Sequence, residues 1–393
     1  MDYSFLSPQR IVFGWGRRRD VGPLAAALGR RAIVVCGSRT LVERGVLDEL
    51  TASLAATGVE ATLLATIRHE PEVADVDAAV AALAELPPRD ADFVLGIGGG
   101  SAIDLAKAVA ALATNADGRS AVEFLEGVGS GLEIERPPLP MLAMPTTAGT
   151  GSEATKNAVI SCYEPKFKKS LRSDAMVPRV VLVDPELAVH CPREVTVHCG
   201  MDAITQLVES YLSRRAQPIP RALARQSLPA AVEALPTLLD DPTSRVGREA
   251  MAHAALLSGM ALANSGLGLA HGVAAALGVH ARVPHGLACA VMLPVALRAN
   301  RAVCQREYAD LEWAIGSSDA ASSAESDAVA ADRFVARIEA LCERVGVPRK
   351  LSALGVRREQ LDAIVPSSRG NSMNGNPRDV ADEELRTLLE AMV

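Results

Sequence analysis

Between Phe93 and Lys107 an apolar run, Phe93-Val94-Leu95-Gly96-Ile97, passes into Gly98-Gly99-Gly100-Ser101 and then into Ala102-Ile103-Asp104-Leu105-Ala106-Lys107. A strand that ends in consecutive glycines and opens a helix aims backbone N–H groups and the positive helix end at one point, which is the chemistry of phosphate binding. Turns that hold nothing form the same cluster, and Ser101 and Asp104 read equally as an N-cap and a helix-start charge. The spacing is not G-x-G-x-x-G, which argues against an ordinary Rossmann fingerprint. A second polar cluster, Pro145-Thr146-Thr147-Ala148-Gly149-Thr150-Gly151-Ser152-Glu153, follows the next apolar run. Hydroxyls and small residues at a strand end suit a loop around a ribose or pyrophosphate, with a flexible surface turn as the competing reading. Further on, the apolar pattern of Gly200 to Glu209 sets Asp202 and Gln206 at i and i+4, on one helix face. His271 and His285 follow in Gly268-Leu269-Ala270-His271-Gly272 and Val283-Pro284-His285-Gly286. An isolated histidine is more often a hydrogen-bonded core or surface residue, and that is the reading for His198 and His253.

These clusters need elements to position them. The first half alternates short β-rich runs (Arg31 to Val35, Glu60 to Leu64, Phe93 to Ile97, Met141 to Met144, Val180 to Val183) with helical segments such as Val73 to Glu85 and Ala102 to Ala113. That alternation predicts a parallel sheet with crossover helices. After Asp184-Pro185 long Ala/Leu-rich periodic segments take over, punctuated by Pro192, Pro236, Pro284 and Pro366, which predicts a helical bundle. A chain of 393 residues exceeds one ordinary core, so two domains are expected, 1–185 and 186–393. Residues 317–326, rich in Ser, Ala and Asp, read as a surface loop.

A hydrophobic fraction of 49% and a charged fraction of 22% are those of a globular protein and exclude disorder as the main state. The net charge of −7 offers no global attraction to nucleic acid or to an anionic membrane. The Arg17-Arg18-Arg19 run reads as a solvated turn. From Ala250 to Ala281 there is no Asp, Glu, Lys or Arg, yet Gly266-Leu267-Gly268 interrupts the stretch, so buried helices are expected rather than a membrane span. Seven cysteines without a CxxC pair read as reduced thiols, and no secretory signal is visible at the N-terminus, so a cytoplasmic location is expected.

Taken together the ordered motifs carry a resemblance. From Phe5, Pro8 and Phe13-Gly14-Trp15-Gly16, through GGGSAIDLAK at 98–107, PTTAGTGSE at 145–153 and VDPEL at 183–187, to Asn376-Pro377-Arg378, the sequence resembles the iron-containing, or group III, alcohol dehydrogenases. These are relatives of glycerol dehydrogenase and dehydroquinate synthase. The resemblance implies a dehydroquinate-synthase-like fold: a Rossmann-like α/β N-terminal domain with a parallel sheet, then an all-α helical-bundle domain. It implies a metal-dependent oxidoreductase moving hydride between NAD(P)(H) and a small alcohol or aldehyde, and a homodimer or higher homo-oligomer.

Carried over residue by residue, Gly98, Gly99, Gly100, Ser101 and Asp104 would hold the pyrophosphate and nicotinamide ribose. Thr146, Thr147 and Ser152 would line the adenine and nicotinamide ends, and Lys168 matches a family lysine near the cofactor, against a solvated place in the Lys166 to Lys169 run. NAD-preferring members carry an acidic residue near Gly37; here Gly37 leaves space, Ser38 can donate and Arg39 offers a fork for a 2′-phosphate, which favours NADP(H).

The family holds a divalent metal through an Asp, a His one turn later and two further His. Asp202, His271 and His285 match three of these positions and Gln206 replaces the fourth. A carboxylate and two imidazoles suit Zn2+ or Fe2+, with Gln206 as a weak oxygen ligand or a water-binding group. A second departure is Ala275, where many members carry a histidine credited with proton transfer; His280, or a chain of water and ribose hydroxyl, would take that role. The segment Ser367 to Arg378 reads either as a donor-rich wall for a polar or anionic aldehyde or as a Gly/Asn/Ser-rich turn. Two rival functions stand beside this one: a dehydroquinate-synthase-like lyase or cyclase that uses NAD(P) transiently, and a non-catalytic binding protein degenerate at Gln206 and Ala275.

Overall fold

The computed structural model describes residues 2–37, 39–87, 91–316 and 326–393. Ser38, the Arg39 side chain and nearly all of the expected 317–326 loop lie outside what is described; Ser326 itself caps the helix that follows. The chain divides into two compact units: Leu6–Thr147 with Gly151–His190, and Cys191–Val393 with Ala148–Thr150 and the first residues of the chain.

The first unit contains strands β1 (Arg10–Phe13), β2 (Arg31–Gly37), β3 (Glu60–Ile67), β4 (Asp92–Gly98), β5 (Met141–Pro145), β6 (Asn157–Tyr163), β7 (Lys166–Arg172) and β8 (Val180–Val183), with helices α1 (Val21–Ala26), α2 (Arg39–Glu43), α3 (Val46–Ala56), α4 (Val73–Ala84) and α5 (Gly100–Asn115). Six strands form one parallel sheet in the order β1-β8-β5-β4-β2-β3. Period-two alternation divides its apolar side chains between two layers. Ile33, Val35 and Val94 pack with Ile103, Ala106 and Val109 of α5, while Val34, Phe93, Leu95 and Ile97 pack with Leu24, Leu50 and Leu54 of α1 and α3. With both faces covered, the central strands read as unbroken apolar runs, which is why they were visible in the sequence.

Strand β3 lies on one side of β2, whereas β4, β5 and β8 lie on the other, so the winding reverses between β2 and β4. Ligands of open α/β sheets bind beyond the carboxyl ends of the strands at such a reversal. Gly37 ends β2 and Gly98 ends β4, so both glycines sit at this point.

Three features differ from expectation. Strand β1, four residues long and partly exposed, carries no run long enough to announce itself, yet it pairs in register with β8. The lysine run is strand β7 of an antiparallel hairpin with β6, half-buried from Phe167 to Ser170, so its alternation is blurred. The arginine run forms a short 3-10 turn in which Arg17 and Arg19 are exposed, as expected, while Arg18 is half-buried. Its backbone N–H and guanidinium donate to Asp184 (3.0 and 3.2 Å), and it also pairs with Glu186 and Glu49.

The second unit is helical: α6 (Arg193–Leu212), α7 (Pro218–Asp240), α8 (Arg245–Ser265), α9 (Leu269–Ala281), α10 (His285–Asn300), α11 (Gln305–Ile315), α12 (Asp327–Val345), α13 (Leu361–Ser367) and α14 (Asp382–Glu390). Helix α6 runs through the core, buried continuously from Gly200 to Leu212, with Met201, Ile204, Leu207 and Val208 packed among Leu228, Leu235, Met251, Val273, Leu277 and Leu293. Prolines punctuate less than expected, since α7 continues through Pro229 and Pro236 and α13 through Pro366. Buried Leu228, Leu235 and Leu238 hold α7 in place against the helix-breaking tendency of proline. The charge-free stretch is divided between α8 and α9, bent by 101° across the glycines, and among the described residues no single helix is long and apolar enough to cross a membrane.

Candidate metal centre and dinucleotide loop

Within the buried stretch of α6, Asp202, Gln206 and Glu209 stand at i, i+4 and i+7 on one face, and all three are buried. Burial of such groups is tolerated only with partners. Glu209 provides one set: its carboxylate accepts from the backbone N–H of Ala270 (2.7 Å) and from Nδ1 of His271 (2.7 Å), at the first turn of α9. With Nδ1 as donor to Glu209, Nε2 of His271 is the nitrogen that would turn a lone pair to a cation once its proton is displaced, and that atom lies 3.1 Å from Asp202 Oδ1. His285 opens α10 and brings its Nε2 to 3.9 Å from the same oxygen. One helical turn on, Cys289 places Sγ 3.7 Å from His285 Nε2. One ligand atom from each of Asp202, His271, His285 and Cys289 lies within 4.8 Å of every other.

For bonds of about 2.0–2.3 Å from a central cation, tetrahedral edges are roughly 3.3–3.8 Å. The separations of 3.1, 3.9 and 3.7 Å bracket these, so the donor set fits a divalent ion. Burial opposes ionisation of Asp202, but His271, His285 and Gln206 hold its carboxyl below the usual range. Burial also works against a charged His271, and Cys289, Asp202 and Glu209 outweigh it, so the ring sits well above an ordinary imidazole. Burial pushes the Cys289 thiol up to about 12.

In the first unit the β4–α5 turn is shaped by close approach. Gly98 has φ of 147°, and a Cβ there would lie 2.7 Å from Ala102 Cβ and 2.9 Å from Gly37 Cα. A Cβ on Gly37 would also lie 2.7 Å from Ala102 Cβ, so Gly37 is explained by the packing of β2 on α5 rather than as space kept for a phosphate. Gly99 occupies the N-cap position with no side-chain cap, and Ser101 stands inside the first turn rather than capping it. The N-terminal N–H groups of α5 are therefore not served by a capping side chain, as anion binding there requires.

The hydroxyl cluster is tied to that helix. Thr146 N–H donates to Gly98 O (2.9 Å), and the Thr147 side chain packs over Gly99. The Ser152 hydroxyl donates to Asp104, which also accepts from Val159 N–H (3.0 Å). Beneath them lies Lys107, fully buried: its ammonium donates to Ser152 O (2.9 Å), Thr155 Oγ1 (2.8 Å) and Asn157 O, and pairs with Asp104 (3.1 Å). Burial lowers the Lys107 ammonium while Asp104 raises it. The neighbouring Glu153 is enclosed as well, and burial pushes its carboxyl up to about 7 from an ordinary 4.5.

That shift has a stability consequence. A carboxyl raised on folding stabilises the native state below its unfolded value, here about 4.5, and this contribution is lost as pH rises through about 7. Glu153→Gln should flatten the stability profile across that window and leave the variant more stable than the parent at pH 8, on the order of 3 kcal/mol. Urea melts from pH 4.5 to 8 check this; parallel profiles for the two proteins would contradict it.

Comparison with known proteins decides the family. The family model described as "Iron-containing alcohol dehydrogenase" matches residues 8–185, and that of the "Fe-containing alcohol dehydrogenase family, C-terminal" matches 196–393. The chain belongs to the iron-containing alcohol dehydrogenase family. It is 32% identical to long-chain-alcohol dehydrogenase 1 of Geobacillus thermodenitrificans (strain NG80-2), over 98% of this chain and 97% of that one. It is 29% identical to the NAD-dependent methanol dehydrogenase of Bacillus methanolicus, over 98% and 99% of the two chains. The solved structure of an alcohol dehydrogenase from Oenococcus oeni superposes with a TM-score of 0.91 at 28% identity, covering 100% of both. The α/β unit and the helical unit have the dehydroquinate-synthase-like fold of this family, and the protein is a metal-dependent NAD(P) oxidoreductase acting on alcohols and aldehydes.

As a member of the family the chain keeps some expected positions together and disperses others. Asp202, His271 and His285 converge. Gln206 does not offer its oxygen to them: its carbonyl accepts from Ser258 Oγ (2.8 Å) and its amide N–H faces Asp202, so it orients the carboxylate. His280 stands nine residues beyond His271 on α9, about 13 Å along the helix axis and on the opposite face. Its Nε2 bonds Ser367 Oγ (2.8 Å) on α13. A His280→Ala variant should therefore leave the pH–rate profile within about twofold of the parent at every pH, because proton transfer requires hydrogen-bond reach; a lost limb in that profile would restore His280 as the proton carrier. Lys168 is taken up by Glu70 (2.6 Å), with its side chain only 7% exposed, so it is not a solvated lysine.

In the terminal segment Arg369 pairs with Asp382, Arg378 with Glu384, and Asn371 accepts from Arg215. Asn376 is buried and bonds Asn300 in both directions (2.8 and 2.9 Å). Sequence reasoning missed Glu209, Lys107, Glu153 and Cys289. For two of them a signal existed: Glu209 continues the Asp202 stripe, and Cys289 stands at i+4 from His285.

Proposed function

We propose that this family member interconverts a small aldehyde and its alcohol with NADP(H) in preference to NAD(H), and that Asp202, His271 and His285 hold its divalent cation. The observation that carries the reading is the convergence of these three side chains, with Glu209 setting the His271 tautomer. When bound, a cation of the Zn2+ or Fe2+ class supplies Lewis acidity toward the substrate oxygen, and the nicotinamide supplies or takes the hydride. The chain's own residues hold and orient. The N–H groups of Gly99, Gly100 and Ser101 at the start of α5 would hold the pyrophosphate, and Gly98 lets the turn pack closely on Gly37 and Ala102. Asp104 and Ser152, locked to each other and to Lys107, keep the hydroxyl loop rigid beside Thr146 and Thr147.

Preference for NADP(H) rests on charge: the sequence after β2 offers Ser38 and Arg39 and no acid, which favours a 2′-phosphate. Gly37 adds no support, since packing accounts for it. Lys168, held by Glu70, acts on the hairpin rather than on the cofactor. Arg369 and Arg378 already have carboxylate partners, which favours a small uncharged aldehyde over an anionic one.

Metal analysis joined to a nicotinamide assay tests the whole reading. One equivalent of cation per chain is expected, with net oxidation of NADPH over a panel of neutral aldehydes and a kcat/KM at least about tenfold above that with NADH or with carboxylate-bearing aldehydes. Turnover undiminished in metal-stripped protein would remove the metal centre, and substrate conversion without net nicotinamide change would mean a lyase.

A further inference from the structure

Asp202, His271 and His285 leave a tetrahedral cation one protein ligand short, and the oxygen of Gln206 is engaged by Ser258. We propose that Cys289, as a thiolate, is the fourth ligand, making a carboxylate, two-imidazole, one-sulfur centre that favours zinc over ferrous iron; this rests on the metal centre proposed above.

Four observations lead there. The Sγ atom belongs to the group of ligand atoms lying within 4.8 Å of one another, so it shares the same focus as Asp202, His271 and His285. Helix register puts it there: His285 and Cys289 are i and i+4 on α10 and face the same side. Their separation of 3.7 Å is close to the roughly 3.5 Å edge expected when Zn–S is about 2.3 Å and Zn–N about 2.0–2.1 Å. Finally, Gln206 is removed from contention, because Ser258 binds its carbonyl and the amide N–H is not a ligand. Cys289 is fully buried within the apolar core of the unit, and its Sγ nevertheless shares one small volume with the ligand atoms of Asp202, His271 and His285.

On binding, the S–H bond breaks, its electron pair forms the sulfur–metal bond and the proton leaves to solvent. Thiolate is a soft donor and selects zinc over ferrous iron among divalent ions competing for such a site.

Cobalt(II) reports on sulfur directly, without reference to catalysis. The full-length protein, stripped and reloaded with one equivalent of Co2+, is expected to show a sulfur-to-cobalt charge-transfer band in the near ultraviolet beside the visible d–d bands. X-ray absorption of the zinc-loaded parent should show one sulfur scatterer at about 2.3 Å. Cys289→Ser should lose the charge-transfer band and weaken zinc binding by about 10–100-fold, with little change for ferrous iron. The parent spectra decide the matter even if that variant folds poorly. Stoichiometric cobalt with d–d bands alone, and no sulfur in the absorption fit, would overturn the Cys289 assignment while leaving the three-ligand centre intact. Failure to bind cobalt or zinc stoichiometrically would overturn both.

Discussion

His271→Ala should lower kcat/KM by about 10³-fold or more, equivalent to about 4 kcal/mol of transition-state stabilisation, while dinucleotide affinity stays within about threefold of the parent. The size follows from what one ring does. Its Nε2 faces Asp202 at 3.1 Å and its Nδ1 is held by Glu209 at 2.7 Å, so its loss removes a ligand and leaves two buried carboxylates without their shared partner. Metal content should fall with activity. His285→Ala should behave similarly, but with a smaller loss of stability because that ring is 27% exposed. Glu209→Gln keeps all the ligands and loses only the carboxylate that orients one of them; a 10–100-fold loss in metal affinity is the usual size of such an effect. Activity assays, metal analysis and dinucleotide titration on one set of variants separate the three cases. A His271→Ala protein that kept a tenth of its activity and a full complement of metal would defeat the proposed centre.

Lys107→Met should have the largest effect on stability, a loss of about 3–5 kcal/mol in urea denaturation, although it is nearly isosteric and places an apolar side chain in a buried position. The ammonium serves Ser152 O, Thr155 Oγ1, Asn157 O and Asp104 together, and methionine serves none of them. Two carbonyls and a carboxylate would be left buried with fewer partners. Because those acceptors belong to the loop after β5, the start of β6 and α5, the dinucleotide should bind at least about tenfold more weakly. A variant as stable as its parent would mean that water takes over the bonds and that Lys107 is a passenger. Arginine at the same position is not expected to rescue, since its fork does not fit a space closed around a single ammonium.

These two sites differ in how far they could be read before the fold was known. The glycine run at the end of β4 was legible because a tight turn into a helix needs small residues consecutive in sequence, and phosphate chemistry follows from that local geometry. The pairing of Asp202 with Gln206 on one face was legible for a similar reason, since helical periodicity is local. Lys107 was not legible: it closes a motif dense in helix formers, and nothing near it in sequence says that its partners come from 152–157. Strand β1 escaped notice because its partner β8 is about 170 residues away and its own four residues show no pattern. The hairpin β6–β7 escaped notice because both its faces are partly wet.

Composition, the order of apolar runs and the chain of motifs by themselves determined the class of fold, the family and which residue types were at hand, because each of these depends on neighbours within a few turns or a single strand. Tertiary structure alone decided the partners. Gln206 turned its oxygen to Ser258, His280 went to Ser367, Arg369 and Arg378 went to carboxylates, and Cys289 joined the carboxylate and the two imidazoles. The physical reason is that a buried polar group must find its complement wherever the chain brings one within about 3 Å, and that distance is set by helix and sheet packing, which no local pattern records.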